Sequence, residues 1–307
     1  MVIATYNYGH AVGNAIDSVL AQTRPADEIV VCDDGSTDDT AAVLARYGDR
    51  ITVIHQANAG VSVARNAALG RVRSDFIILL DADDTWLPER IRCLEDHLIA
   101  HPELDIVTAD AWLTRDGRPT GSTVYMGWPF ANERQEVEIL RGDFIHYSAA
   151  VRVQPLLAVG GWDVTRSFQC EYDGWINMIL AGSRAGLVRL PLGVHDHHAG
   201  SLSTRLEATW MGDLELLRST ARRWPLNGEQ RSALREHERL LVRRLRTAKA
   251  KQAIRDLAPG VRRTCLVGCL VPGQPLLTRV KLLAAALLPG PAHRRQDAWA
   301  GRPYGEM

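Results

Sequence analysis

Apolar positions in the first 110 residues follow two spacings. Val12, Ala15, Ile16, Val19 and Leu20 recur at helical intervals, which predicts an amphipathic helix over about 10–22. Short runs at 2–4, 28–32 (EIVVC), 51–55, 76–80 (FIILL) and 105–109 are mostly or wholly apolar and have strand length. Between them, Ser36 followed by Asp39 resembles a capping box with Asp in place of Glu, and Gly48 is a helix stop after Tyr47. Residues 62–69 read as a helix, and Pro88 opens another with Ile91, Leu94 and Leu98 on one face. Strands without polar alternation, joined by helices, predict an α/β fold: a mostly parallel, Rossmann-like sheet with helices on both faces.

Residues 111–160 mix Gly, Pro and aromatic side chains and give no clear period. From about Leu206 the pattern is helical and rich in Arg and Leu, with Pro225, Pro259, Pro272 and Pro275 as breaks. Leu234, Leu241, Leu245 and Ala248 fall on one side of that pattern. Two regions are therefore expected, an α/β domain over 1–205 and a mostly helical C-terminal region over 206–307.

Charge sharpens this division. The chain is formally neutral, yet residues 1–205 hold 17 Lys+Arg against 27 Asp+Glu and residues 206–307 hold 19 against 9. The basic region either packs on the front domain or lies against an anionic membrane surface. It lacks a recognisable nucleic-acid reading module, so no nucleic-acid partner is expected. Five scattered cysteines suit a reduced, cytoplasmic chain better than a disulfide framework, and nothing near Cys265 and Cys269 completes a zinc site. The opening MVIATYN has no features of a secretory leader. The longest apolar stretch, 276–288, is interrupted by Arg279 and Lys281 and is too short to span a bilayer. The expected location is cytoplasmic, with peripheral contact at the inner face of the plasma membrane as the variant that the basic tail suggests.

In open parallel sheets ligands bind beyond the carboxyl ends of the strands. Thr5-Tyr6-Asn7, Asp33-Asp34-Gly35-Ser36, Asn58-Ala59-Gly60 and Asp81-Ala82-Asp83-Asp84 should converge there. In an extended turn Asp81 and Asp83 share a face. Two such carboxylates repel unless a cation lies near them, and hard oxygen ligands favour Mg²⁺ or Mn²⁺, which can neutralise a diphosphate leaving group. The plain alternative is that the acids cap the next helix, a role open to Asp84 or Thr85. An Asp33 or Asp34 carboxylate can accept from a nucleobase imide or a ribose hydroxyl, or simply support a tight turn at Gly35. Tyr6 can stack on a base or pack, and Arg65 can meet a diphosphate or form a surface ion pair.

The stretches ATYNYGHAVGNAIDSVLAQT, DEIVVCDDGSTDDT, NAGVSVARNAALG and FIILLDADDTWLPERI, in this order and spacing, resemble the family 2 glycosyltransferases, whose fold is called GT-A. The family pattern has Pro where Ala4 stands and several residues more before it, which leaves the first strand short and an incorrect start site open. The resemblance implies nucleoside contacts from Thr5, Tyr6 and Asp34 and a contact of Arg65 with the nucleotide or its phosphates, and Asn7 beside them is a further candidate for binding the donor. It also implies a ribose or sugar contact from Asp81 and a metal ligand at Asp83. Gly160-Gly161-Trp162-Asp163 matches the stretch before the family's acceptor region. The following E-D-x-D-x-W pattern reads here Cys170-Glu171-Tyr172-Asp173-Gly174-Trp175, which puts Glu171 at the position of the usual Asp base, with Asp173 as runner-up. Cys170 replaces the preceding Glu. The segment 195–201 resembles the late R-x-H-x-G-S pattern, with His198 in the position that holds metal or diphosphate and Asp196 in place of Arg.

The expected activity is inverting transfer of a sugar from a nucleotide-diphosphate sugar, UDP by default, with Mg²⁺ or Mn²⁺. The acceptor is a hydroxyl on a glycan, a lipid-linked glycan or a small metabolite. The expected metal set is Asp83 with Asp81 and His198. Two rivals stand beside this reading, a nucleotidyltransferase of related fold and a non-catalytic nucleotide-sugar binder. ATYNYGH lacks the Gly-rich basic loop of the first.

Overall fold

In the computed structural model the apolar runs become neighbouring strands of one mixed sheet. The structure describes residues 1–146, 148–166, 169–198, 206–255, 275 and 277–280. Cys265, Cys269, the Gly200-Ser201 end of the histidine segment and most of 276–288 lie outside the described residues. The chain divides into two compact units, Met1–Thr204 and Arg205–Met307.

The first unit opens with β1 (Val2–Thr5), α1 (Val12–Leu20), β2 (Val30–Asp33), α2 (Thr40–Ala45), β3 (Thr52–His55), α3 (Val61–Leu69) and β4 (Phe76–Asp81). These strands lie parallel in the order β3-β2-β1-β4. The chain thus builds outward from β1 in one direction and then returns to place β4 on its other side. That reversal opens a crevice at the carboxyl ends of β1 and β4, where Thr5 pairs with Asp33 and Ala4 with Asp81. Val12, Ala15, Ile16 and Val19 of α1 pack with Ile3, Val31, Leu44 and Leu80 in one apolar cluster. Burying each large aliphatic side chain there contributes about 1.5–3 kcal/mol.

The sheet continues through β5 (Thr85–Trp86), α4 (Arg90–Ala100), β6 (Ile106–Arg115), β7 (Arg118–Thr123), α5 (Gln135–Arg141), β8 (Ala150–Arg152), α6 (Val153–Ala158), α7 (Cys170–Leu180) and β9 (Ala185–His197). Beyond β4 the order is β8-β6-β9-β5, with β7 paired only to β6. β8 is antiparallel to both β4 and β6, β9 runs parallel to β6, and β5 is antiparallel to β9. β6 runs well past Ala109, where its apolar pattern ends, and turns through Asp116 and Gly117, both at positive φ, into β7. Pro119 and Gly121 make β7 read as a loop, but a strand with one partner tolerates Pro.

One local expectation is corrected. No capping box forms at Ser36: α2 begins at Thr40, whose N–H donates to Asp38 Oδ1 at 3.0 Å. Ser36 Oγ accepts instead from the Asn7 N–H at 2.9 Å, joining the β1–α1 and β2–α2 loops.

The second unit contains α8 (Leu206–Arg223) and α9 (Gly228–Arg255). Trp210, Leu214, Leu216, Leu217, Leu234 and Leu241 are buried in it. Among the described residues no helix is long and apolar enough to cross a membrane.

Gly35 couples fold to rim. Its φ of +78° lies in the left-handed region, and a Cβ there would sit 2.7 Å from the Asn58 backbone nitrogen. Gly35→Ala is therefore expected to destabilise the protein by about 1–3 kcal/mol, read from urea unfolding. Unchanged stability would mean that the two loops are not in register.

Candidate active site

The ends of β1, β2 and β4 and the start of α3 form one rim. Thr5 is buried, and its Oγ1 has no hydrogen-bond partner among the described residues. Tyr6 is 44% exposed, so its ring face is accessible for stacking. Asn7 adopts φ +58°, and its Oδ1 accepts from the Thr37 N–H at 2.7 Å. Asp33 Oδ1 accepts from the Ser36 N–H at 3.0 Å, closing the turn after β2. Asp34 holds the next loop: Oδ1 accepts from Gln56 Nε2 at 2.7 Å and the Ala59 N–H at 2.9 Å, and Oδ2 from the Gly60 N–H at 2.8 Å. Asn7 and Asp34 therefore organise neighbouring loops, while Tyr6 keeps its ring exposed.

Arg65 lies on the first turns of α3 and is only 3% exposed. Its Nη2 donates to Asp81 Oδ1 at 2.8 Å, while Nη1 donates to Glu171 Oε1 and to Cys170 Sγ, the latter at 3.1 Å. The Cys170 thiol donates to Glu171 Oε2 at 3.0 Å. Burial opposes the guanidinium charge, but the negative groups around it outweigh burial and keep Arg65 protonated. Two carboxylates on one guanidinium titrate as a unit. Burial pushes Asp81 up, aided by Glu171 and Asp83 and opposed by Arg65. Burial also acts upward on Glu171, yet Arg65 and the Cys170 thiol hold its carboxyl below the ordinary range. Glu171 is thus ionised and faces the rim.

Asp173 does not reach that rim. It is 0% exposed, 3.1 Å from Arg166 Nε, and its Oδ2 accepts from Asn177 Nδ2 at 2.8 Å. Successive helical residues are about 100° apart, so positions 171 and 173 face nearly opposite ways. Asn66, on α3, docks the Gly160-Gly161-Trp162 stretch: its Nδ2 donates to the Trp162 carbonyl at 2.7 Å and its Oδ1 accepts from the Trp162 N–H at 3.0 Å. α3 thereby carries both Arg65 and the anchor for the segment before α7. Sequence reasoning missed Asn66, and nothing in its local pattern signals the role.

At the acidic turn, Asp83 Oδ2 lies 3.0 Å from His198 Nε2, with side chains 22% and 25% exposed. Tyr8, another residue sequence reasoning missed, stacks on His10 at 5.4 Å and meets the His198 ring edge-on at 6.4 Å. Burial and then the charge of Asp83 push its hydroxyl up to about 12, so it remains a donor. The neighbouring histidines diverge. His195 Nδ1 is 3.0 Å from Asp84 Oδ2, and burial lowers His197 to about 4.

Among the described residues no group of three or more His, Cys, Asp or Glu is arranged to hold a metal. Asp83 and His198 nonetheless offer a carboxylate oxygen and an imidazole nitrogen at one partly open spot. That donor pair fits Mn²⁺, which accepts imidazole beside carboxylate, better than the harder Mg²⁺, and either ion takes remaining oxygens from phosphate and water. Asp81 is less free for this purpose, since one oxygen is given to Arg65.

A family model, glycosyl transferase family 2, matches residues 1–158. The succinoglycan biosynthesis protein ExoO of Rhizobium meliloti is 39% identical over 117 residues, 36% of this chain and 34% of that protein. Matches to other curated relatives cover between 18% and 71% of their length. The crystal structure of S. aureus TarS 1–349 in complex with UDP-GlcNAc has a TM-score of 0.66 at 16% identity, covering 93% of this chain and 86% of that one. The mannosyltransferase PcManGT from Pyrobaculum calidifontis, in complex with GDP-Man and Mn²⁺, reaches 0.59 at 15% identity over 93% and 85%. These likenesses establish the GT-A fold. With the family model matched over more than half of its 307 residues, the chain belongs to glycosyl transferase family 2.

Proposed function

We propose that the protein is an inverting glycosyltransferase. It moves a sugar from a nucleotide-diphosphate sugar, most simply a UDP-sugar, to an acceptor hydroxyl in polysaccharide or related glycan synthesis. The observation that carries this reading is the shared guanidinium: Arg65 bonds both Asp81, on the donor side, and Glu171, on the acceptor side. One side chain therefore spans the distance between a donor group and a candidate base. The solved neighbours bound to UDP-GlcNAc and to GDP-Man with Mn²⁺ support a nucleotide-sugar donor.

In this reading Tyr6 stacks on the nucleobase, and the orphan Thr5 hydroxyl bonds the nucleoside within the loop that Asp34 and Asn7 hold. Asp81 accepts from a hydroxyl of the donor. Asp83 and His198 hold Mg²⁺ or Mn²⁺, which supplies charge neutralisation at the diphosphate. The acceptor oxygen attacks the anomeric carbon as the bond to the diphosphate oxygen breaks. Its proton passes to Glu171, and the nucleoside diphosphate leaves with the bonding electrons. Arg65 keeps the Glu171 carboxylate ionised and aimed.

Asp83→Ala is expected to lower transfer by at least about 100-fold in a folded protein, measured as nucleoside diphosphate release with acceptor present. Full activity in that variant, or in excess chelator, would sink the metal-dependent reading. The two acids of α7 should separate by phenotype. Glu171→Gln is expected to reduce turnover by about 10²–10⁴-fold while nucleotide-sugar binding persists. Asp173→Asn, which removes the buried carboxylate charge beside Arg166, is expected to cost about 1–3 kcal/mol of stability. The opposite pattern, turnover lost through Asp173 with Glu171→Gln active, would move the base assignment.

A further inference from the structure

Asp84 is the acidic-turn residue left without a role in the chemistry above, and it is 5% exposed. Its carboxylate meets His195 Nδ1 at 3.0 and 3.2 Å and accepts from the Asp196 N–H at 3.1 Å. Its own N–H donates to the Asp81 carbonyl at 3.2 Å, closing the turn. The two residues that follow it are β5, paired antiparallel to β9 as Thr85↔Val194 and Trp86↔Gly193. A two-residue ladder and one buried carboxylate therefore bind the acidic turn to the last residues of β9. Asp83 lies in the turn one position before Asp84, and His198 directly follows the end of β9, three positions beyond His195. Those two side chains meet at 3.0 Å.

A buried basic residue supports the junction. Arg90 packs over the Trp86 ring at 5.1 Å and donates to Ser148 Oγ at 3.2 Å. It lines one small cavity with Asp84, His146 and His195. A carboxylate held between an imidazole, a backbone N–H and a nearby guanidinium has few other geometries open to it. Any shift of Asp84 would move the end of β9 relative to the turn.

We propose that Asp84 and His195 are positioning residues that set the separation of Asp83 and His198, and thereby the divalent-cation affinity of the site, without touching the cation. This rests on the metal role given to Asp83 and His198 under the proposed function. Outer groups that orient ligands commonly account for about 10–100-fold in metal affinity.

The test is Mn²⁺ retention by the full chain in equilibrium dialysis at fixed UDP, with circular dichroism and thermal midpoints as controls for folding. The unsubstituted protein should retain Mn²⁺. Asp84→Asn and His195→Leu should weaken retention by about 10–100-fold. His195→Asn keeps an N–H near the Nδ1 position and should stay within about threefold of the parent. Parent-like affinity in folded Asp84→Asn or His195→Leu overturns the clamp, as does an equal drop in both His195 variants. The His195 comparison decides the matter should Asp84→Asn fail to fold. Absence of Mn²⁺ retention by the parent overturns the metal reading itself, and the clamp with it.

Discussion

A guanidinium removed from water costs several kcal/mol unless its charge and its N–H donors are met. Arg65 meets that demand with Asp81 at the end of β4 and with Cys170 and Glu171 at the start of α7. These partners lie 16, 105 and 106 residues away along the chain. The buried charge thus ties the carboxyl end of a core strand to a helix that arrives much later. Neither carboxylate can swing away without leaving part of the buried guanidinium unmet, and that penalty holds them more firmly than surface ion pairs are held. It also links the two halves electrostatically, since a ligand that alters the charge at Asp81 alters what Glu171 experiences through the shared cation.

The same constraint explains which parts were legible from sequence. The fold of the first hundred residues was readable because the strands centre on short, mostly apolar runs and most rim residues lie at or just beyond their ends. Asp81 and Asp83 needed only their neighbour β4 to be placed. The partner of Arg65 could not be read, because no local pattern links position 65 to positions 81 and 171. A phosphate contact and an internal bridge make the same demand on an arginine, a fixed anion within reach, and only the packing of α7 on α3 distinguishes them. Choosing between Glu171 and Asp173 had the same obstacle. The two lie on opposite sides of one helix, and which side is internal depends on Arg166, Asn177 and the Asn66 anchor. The extension of β6 and the edge strand β7 were hidden by Pro119 and Gly121, which mark loops by habit but are tolerated where a strand has one partner.

Long-range polar contacts also changed local expectations. The Ser36 hydroxyl does not cap α2, which begins four residues later at Thr40, and accepts instead from a backbone N–H of the β1–α1 loop. Asp34 satisfies three donors of the β3–α3 loop, which places the start of α3 and hence Arg65. The loops of the rim are thus braced against one another before any ligand is considered. Preorganisation of that kind is what lets charged groups act without rearranging during reaction.

The departures from the family pattern at 170 and 171 make sense together on this frame. The pattern has Glu then Asp, and this chain has Cys then Glu. A Glu at 170 would bring a third carboxylate beside a guanidinium already shared by two, where burial raises the cost of each added negative charge. Cys170 is nearly inaccessible, and burial followed by the charge of Glu171 pushes its thiol pKa up, so it stays neutral and donates to Glu171 Oε2. The longer Glu side chain spans from α7 to Arg65, while the short thiol leaves room for it. Size and charge shift in opposite directions at adjacent positions, and the result is one ionised carboxylate held from both oxygens at the rim. The same contacts that aim it, from Arg65 and Cys170, also hold its basicity down. The ionisation of the Glu171 carboxylate thus depends on its contact with Arg65 as well as on its own chemistry.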